Sequence, residues 1–84
     1  MPRPFFPHTL SDVSHAVDGP LGLVVGDMPD GRLFMLKRYR KTPGYVLIEY
    51  ADTARSRELS RREILERREA LQAMADAIGL NEKA

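Results

Sequence analysis

The sequence predicts an α+β fold: a short N-terminal helix, a three-stranded antiparallel meander, and a long C-terminal helix packed on one sheet face. Three observations predict it. Turn motifs with proline and glycine at residues 28–31 and 42–44 separate apolar segments of strand length. Apolar residues spaced three and four apart occupy the C-terminal third of the chain. Ser60 and Glu63 form the S-x-x-E capping box that marks the beginning of such a helix.

The short helix is predicted over residues 10–17. Thr9 and Asp12 resemble a capping pair at its beginning, and Gly19 followed by Pro20 ends it. The segment at 28–31 suits a type I turn closed by a glycine bulge, and the segment at 42–44 suits a type II turn. The three strands are therefore expected at residues 21–26, 33–40 and 45–51.

The long helix is predicted to begin at Ser60 and to end at Gly79, with Leu80 providing the apolar contact of the C-terminal cap. Leu59 and Ile64 would form a hydrophobic staple around the capping box. Two i,i+4 pairs in the favourable order, Glu58–Arg62 and Glu63–Arg67, would support it. The predicted apolar face consists of Ile64, Leu71, Ala75 and Ile78, with Met74 at its edge.

The second and third strands carry apolar side chains on both faces. Phe34 and Leu36 alternate with Leu33 and Met35, and residues 45–48 show the same pattern. The long helix can cover one face only. We expect the other face to be covered by an extended N-terminal arm at residues 1–8, anchored by its phenylalanines, together with the short helix, or else by a second subunit.

The chain has 84 residues, which indicates one domain: the arm, a globular body over residues 9–80, and a disordered tail over 81–84. It has no cysteine, which excludes disulfides, thiolate metal sites and cysteine nucleophiles. No apolar stretch has the length of a membrane span, and the N-terminus lacks the long apolar core of a secretory signal. A cytoplasmic protein with no membrane partner is the default prediction.

The net charge of +1 is unevenly distributed. Residues 32–62 hold nine basic and three acidic side chains, a net charge of +6, whereas the flanking segments are acidic. The first basic group lies at the end of the second strand, where Tyr39 could stack on a base while its neighbours contact phosphates. The alternative is an edge strand protected by charge. This group is Lys37, Arg38, Tyr39, Arg40 and Lys41.

The second basic group lies just before and inside the first turn of the predicted long helix. Cations at a helix N-terminus oppose the helix dipole, so a bound phosphate or carboxylate would explain them. The alternative is a solvated face in which Glu58, Glu63 and Glu66 compensate the charge. This group is Arg55, Arg57, Arg61 and Arg62.

No catalytic, metal or cofactor motif can be assembled. His8 and His15 are the only histidines in the sequence and have no neighbours at ligand spacing. The serines lack the context of a nucleophile, and the glycines lack the spacing of a phosphate-binding loop. We therefore predict no catalytic residue, no metal site, no cofactor and no enzymatic activity.

The predicted α-β-β-β-α order is similar to that of double-stranded-RNA-binding domains, which place basic residues at the start of the last helix. Arg57, Arg61 and Arg62 would be the nearest equivalents, although the family's lysine-lysine-x-alanine-lysine start is replaced by Ser-Arg-Arg-Glu-Ile at residues 60–64. The strand-strand-strand-helix portion is also similar to the arm-binding domain of tyrosine recombinases. Both resemblances imply binding to a nucleic acid.

Two functional hypotheses follow. The leading one is a small non-enzymatic binding protein whose basic surface contacts an anionic partner, with nucleic acid favoured over an acidic protein surface. The other is a protein–protein regulator, inhibitor or adaptor of bacterial or phage type, which acts through its two-faced apolar sheet and could be a homodimer.

Overall fold

The computed structural model describes residues 9–80 and shows an α+β fold with two helices and one four-stranded antiparallel sheet. The predicted arm at 1–8 and tail at 81–84 lie outside these residues. The strands follow the order β1-β2-β3-β4, so every neighbouring pair is consecutive in the chain. The elements are α1 (Leu10–Asp18), β1 (Leu23–Asp27), β2 (Leu33–Arg38), β3 (Tyr45–Tyr50), β4 (Glu58–Ile64) and α2 (Arg67–Ile78).

Helix α1 begins as the sequence predicts. The Thr9 side chain accepts a hydrogen bond from the Asp12 amide at 3.1 Å, and the Asp12 carboxylate accepts one from the Thr9 amide at 3.2 Å. These reciprocal bonds form a capping box, which satisfies two donors that the helix itself leaves without partners. The chain leaves the helix at Gly19, whose backbone is extended. The prediction of a capped short helix is confirmed.

The β1–β2 hairpin also forms as predicted. The Gly31 amide donates to the Met28 carbonyl at 3.0 Å, and the Met28 amide donates to the Arg32 carbonyl at 2.8 Å. Gly31 has a φ of 98°, a backbone conformation that glycine adopts without steric cost. A four-residue turn followed by a glycine bulge therefore joins the strands.

The main correction concerns residues 58–64, which form a fourth strand and not the first turns of a helix. Tyr45 pairs with Ile64 and Ile48 pairs with Arg61, so β4 occupies the free edge of β3. Ser60 therefore caps no helix, and Leu59 and Ile64 form no staple. The physical reason is that pairing along β3 satisfies a row of backbone groups, which outweighs a local preference for helix worth a few tenths of a kcal/mol per residue.

Helix α2 begins six residues later than predicted, since the predicted N-cap is Ser60 and the observed one is Glu66. Glu66 is its N-cap but makes no side-chain capping bond, and the Ala70 amide donates to the Glu66 carbonyl at 2.9 Å. Its C-terminal end is as predicted: Gly79 has a φ of 81°, and the Leu80 amide donates to the Ala75 carbonyl at 2.8 Å. The predicted apolar face is displaced, because Met74 lies at its fully buried centre and Ile64 belongs to β4.

Both helices lie on the same face of the sheet, which is the second correction, since α1 was expected to help cover the other face. Helix α1 packs over β1 and β2, while α2 packs over β2, β3 and β4 and against α1. The core between helices and sheet consists of Val13, Val17, Val24, Phe34, Leu36, Tyr45, Ile64, Ala70, Met74 and Ile78.

The opposite face of the sheet, called the second face below, is also apolar. Leu33 and Met35 in β2 alternate with the core residues Phe34 and Leu36, and the pairing places Ile48 beside Met35. Together with Val46 these side chains are buried, although none of them belongs to the helix-covered core. The prediction that the sheet is apolar on both faces is therefore confirmed.

Candidate nucleic-acid interface

The first predicted basic group lies at the end of the β2–β3 hairpin, and its five residues are called the hairpin-end cluster below: Lys37, Arg38, Tyr39, Arg40 and Lys41. The connection closes when the Tyr39 amide donates to the Gly44 carbonyl at 3.1 Å. Gly44 has a φ of 122°, which glycine adopts without steric cost, but the connection spans residues 39–44 and is longer than the predicted type II turn. Lys37, Arg40 and Lys41 are exposed, whereas Arg38 and Tyr39 are half-buried.

Two arginines of this cluster also hold the end of α1 and the residues that follow it. The Arg38 Nε donates to the Val17 carbonyl at 3.2 Å, and an Arg40 Nη donates to the Pro20 carbonyl at 3.4 Å. Cations and donors are favourable at a helix C-terminus, where carbonyls lack partners. Carbonyl acceptors leave the guanidinium charge uncompensated, so both arginines still contribute positive potential to the hairpin end.

A shallow pocket of about 180 Å³ opens beside the hairpin-end cluster. Tyr39 and Tyr45 form part of its wall, and Glu63 from β4 contributes a carboxylate. The sequence interpretation singled out Tyr39 but missed the other wall residues, because they come together only when β4 pairs with β3. The remaining lining residues are Pro43, Gly44, Ile64 and Leu65.

The second predicted basic group does not surround a helix N-terminus. Arg55 and Arg57 lie in the β3–β4 connection, while Arg61 and Arg62 lie in β4. The connection is organised by Asp52, whose carboxylate accepts hydrogen bonds from the Ser56 amide at 3.1 Å and the Ser56 hydroxyl at 2.6 Å. The hydroxyl bond is the main cause that lowers the pKa of Asp52 below its usual value.

The two β4 arginines are compensated by acids. Arg61 makes two hydrogen bonds with Glu58, at 3.2 and 3.0 Å, which lower the pKa of Glu58 and raise that of Arg61. Arg62 pairs with Glu69 of α2 at 3.3 Å. The alternative of a salt-bridged face therefore describes these two arginines better than an anion site does. Of the three acids predicted to compensate them, Glu58 does so by bonding to Arg61, whereas the partner of Arg62 is Glu69.

Two cations, Arg67 and Arg68, stand at the beginning of α2, and the half-buried one is Arg67. Its guanidinium binds both carboxylate oxygens of Asp18, at 2.8 and 2.7 Å, and also donates to the Ser14 hydroxyl. Asp18 ends α1, so each charge is unfavourably placed for the dipole of its own helix and is neutralised by the other. This pair links the two helices and neutralises Arg67, so Arg67 does not require a bound anion.

The second predicted basic group is spread along β3: Arg55 and Arg57 lie at the opposite end from the hairpin-end cluster, whereas Arg61 and Arg62 pair with Ile48 and Leu47 in the middle of the strand. The hairpin-end cluster adjoins Tyr45, where β3 begins, whereas Arg55 and Arg57 follow Tyr50, where it ends. Six residues of strand separate the two ends by about 17 Å at the usual rise. Arg55 and Arg57 are thus separated from the hairpin-end cluster, and the two arginines that lie between them are compensated by Glu58 and Glu69.

Among residues 9–80 no group of three or more histidine, aspartate or glutamate side chains is arranged to hold a metal ion. His15 is exposed in the last turn of α1, and His8 lies outside the described residues. In the same part of the chain, neither helix is long and apolar enough to cross a bilayer.

Comparisons of the chain with protein-family models, with curated proteins and with solved structures find no match. The resemblance to double-stranded-RNA-binding domains requires correction, because four strands and not three separate the two helices. Arg57, Arg61 and Arg62 also lie before and within β4, so they do not occupy the position that the family uses at the start of its last helix.

Proposed function

We propose that the chain is a non-enzymatic binding protein for single-stranded nucleic acid and that the hairpin-end cluster is its contact surface. The observation that carries the proposal is that a tyrosine-lined pocket and four cations occur together at one end of the β2–β3 hairpin. Phosphates would contact the cations, and an unstacked base would lie against Tyr39.

The charge distribution favours the hairpin end over β4. Among residues 9–80, the four cations of the hairpin-end cluster form no salt bridge, whereas Arg61 and Arg62 each have a carboxylate partner. Phosphate binding releases counterions only where the protein supplies uncompensated positive charge. The paired arginines of β4 would have to break an existing ion pair to contribute equally.

The pocket fits a single planar ring better than a larger ligand. Its volume of about 180 Å³ is below the roughly 300–1,000 Å³ typical of small-molecule sites. The Glu63 carboxylate in its wall can accept a hydrogen bond from the amino group of a base. A duplex keeps its bases stacked and paired, so this geometry favours single strands.

The test is a fluorescence-anisotropy titration of labelled single-stranded DNA and RNA oligonucleotides, and of duplexes, over a series of salt concentrations. Tyr39→Ala should weaken single-strand binding roughly 5- to 150-fold, since stacking contributes about 1–3 kcal/mol per base. Lys41→Ala should reduce the slope of log K against log salt by about 0.7 if it contacts one phosphate.

Two control variants at the far end of β3 keep this test specific. Tyr50→Ala and Arg57→Ala remove an aromatic ring and a cation without touching the hairpin end, and we expect each to change affinity less than twofold. Absence of binding at low salt would refute the proposal. Equal losses for Tyr39→Ala and Tyr50→Ala would refute the proposed location.

A protein–protein regulator or adaptor is the second candidate function. It is favoured by Leu59 and Leu65, which are 46% and 69% exposed although they are large and apolar. Both lie in or just after the edge strand β4, which has one side without a strand partner in residues 9–80. A complex through this edge would survive high salt, whereas binding to nucleic acid would weaken steeply as salt is added.

A further inference from the structure

Strand β4 is an edge strand, and one of its sides has no strand partner within residues 9–80. Residues 58–63 are all exposed. An exposed edge presents a row of backbone donors and acceptors to any further strand. Large apolar side chains stand at both ends of this edge, since Leu59 is 46% exposed and Leu65, which directly follows the strand, is 69% exposed. The edge is therefore open to a partner strand that is apolar at its ends.

The hydrogen bonds of the sheet show which backbone groups this edge offers. The Tyr39 amide donates to the Gly44 carbonyl, so Gly44 directs its backbone groups toward β2. These directions alternate along a strand, so Leu47, three residues later, directs its groups toward its β4 partner Arg62. The residues on either side of Arg62 therefore direct their N–H and C=O groups away from β3, where a further strand would lie.

The two residues that offer these groups carry opposite charges. Arg61 and Glu63 are exposed, and their partners in β3 belong to the second face, so both side chains lie on that face. Glu63 has no ion-pair partner within residues 9–80. The Arg61 side chain bonds to Glu58 but is still 51% exposed, and a guanidinium has five N–H donors. Each charge can therefore take a partner from outside the chain.

A second copy of β4 meets all these requirements in one register. In a symmetric antiparallel pair, the same residue of each copy lies at the centre, because paired side chains share a face of the sheet. With Arg62 at the centre, Arg61 lies opposite Glu63 of the second copy. In the same register Leu59 lies opposite Leu65 of the second copy. Symmetry repeats both contacts, which gives two pairs of opposite charge and two pairs of leucines.

The other symmetric registers are less favourable. A pair centred on Arg61 or on Glu63 places identical charges opposite each other and leaves no pair of opposite charges on the second face. A pair centred on Ser60 would extend through the irregularity between Glu49 and Tyr50, where the alternation of β4 is interrupted. The register centred on Arg62 also brings two like charges together, but each Arg62 keeps an ion pair at 3.3 Å with a glutamate of its own α2.

We propose that the protein forms a homodimer in which two β4 strands pair antiparallel about Arg62 and join the two four-stranded sheets into one sheet of eight strands. A second copy is the partner because the edge is complementary to itself, both in charge and in the positions of its exposed leucines. The dimer does not depend on the proposed nucleic-acid site. It supplies a partner for the edge that the second candidate function uses.

The test is sedimentation velocity of the full chain from micromolar to millimolar concentration. The natural chain should become dimeric in the upper part of this range, because one pair of strands is a small interface. Arg61→Glu and Glu63→Arg should each weaken the dimer about tenfold or more, since each variant places like charges opposite each other twice. An equimolar mixture of the two variants should dimerise like the natural chain, because both contacts then join opposite charges again.

Arg55→Glu is the matched control, because it reverses an exposed charge in the β3–β4 connection, outside the paired residues. It should change the dissociation constant less than twofold. A natural chain that is monomeric at every concentration would overturn the proposal. A dimer that the two single variants form as readily as the natural chain would also overturn it, and so would a mixture that stays monomeric.

NMR on the natural chain gives a second readout that holds even where a variant fails to fold. Isotope-filtered spectra should show intermolecular contacts between the methyl groups of Leu59 and Leu65. The amide hydrogens of Arg61 and Glu63 should exchange with solvent more slowly as the dimer forms. Intermolecular contacts at another surface would refute the proposed interface. Neither experiment contains nucleic acid, so a failure here is distinguishable from a failure of the proposed nucleic-acid site.

Discussion

Replacement of Gly26 by alanine tests how closely α2 packs on the sheet. Gly26 lies in β1 beneath the C-terminal end of α2, and a Cβ atom there would be 2.9 Å from Cγ2 and 3.4 Å from Cδ1 of Ile78. Contacts under 3.0 Å require something to move. Ile78 is 7% exposed and β-branched, so its methyl groups have few alternative positions.

The expected destabilisation is the difference between two effects. Inserting a methyl group into a packed core costs about 1–3 kcal/mol. Replacing a strand glycine by alanine also raises the free energy of unfolding by roughly 0.4–1 kcal/mol, because the unfolded chain loses conformational freedom. Gly26→Ala should therefore lower the free energy of unfolding by about 1–2 kcal/mol, which corresponds to a fall in melting temperature of about 5–15 °C.

A double-mutant cycle measured by urea unfolding separates this contact from other causes. Ile78→Ala alone should cost about 2–5 kcal/mol, and adding Gly26→Ala should be less harmful in that background by about 1 kcal/mol. Gly31→Ala is the matched control: its Cβ would meet nothing within 4 Å, but its φ of 98° is strained for alanine. It should destabilise without coupling to Ile78. A Gly26→Ala protein as stable as the natural one, or zero coupling to Ile78, would refute the reasoning.

Two further predictions concern the helix caps and the loss of folding stability at acid pH. Ser60→Ala should change the free energy of unfolding by less than about 0.5 kcal/mol, because its exposed hydroxyl makes one 3.3 Å bond to Glu49. Thr9→Ala should cost about 0.5–2 kcal/mol as the loss of a true cap, and equal costs in urea unfolding would contradict the assignment of β4. The pKa of Asp52 is lowered, chiefly by the Ser56 hydroxyl, so its contribution to stability is present above the ordinary pKa and is lost as the pH falls through the lowered one. Asp52→Asn should flatten the dependence of stability on pH below about pH 4, and an unchanged slope would contradict this account.

Features set by residues close together in the chain could be predicted from the sequence. The capping box at Thr9, the glycine bulge at Gly31 and the left-handed cap at Gly79 each involve partners within about five residues. In each case a short polar side chain or a glycine satisfies backbone groups locally, whatever the rest of the chain does. The class of fold followed from these boundaries and from the alternating apolar strands.

The fourth strand could not be predicted in this way, because its cause is not local. Residues 58–64 contain two glutamates, two arginines and one leucine, which favour helix, and Ser60 with Glu63 reproduces the capping motif. The deciding factor is the free edge of β3, about a dozen residues earlier in the chain. Leu59 and Ile64 are five residues apart, which matches neither the helical nor the strand period. The spacing of apolar residues therefore did not distinguish a strand from a helix here.

The reassignment of β4 changes the argument for function. In a helix, Arg61 and Arg62 would both oppose the dipole and would call for an anion. In a strand they point to opposite faces and each meets a carboxylate, Glu58 or Glu69. These pairings could not be predicted from the sequence. The strand conformation of β4 decides on which face of the sheet each arginine lies, and the partner of Arg62 lies in the following helix, seven residues away.

The separation of the two remaining basic patches decides which one can act as a site. About 17 Å of strand lies between them, which exceeds the screening length of roughly 8–10 Å at physiological salt, so their potentials do not reinforce each other. Each patch must therefore bind on its own contacts. Arg55 and Arg57 offer exposed charge alone, whereas the hairpin end joins charge to a ring-sized pocket walled by Tyr39. Charge without a base contact gives only weak, sequence-independent attraction, and stacking adds energy that only an unpaired base can supply. The hairpin end is thus the patch at which a single strand would be distinguished from any other polyanion.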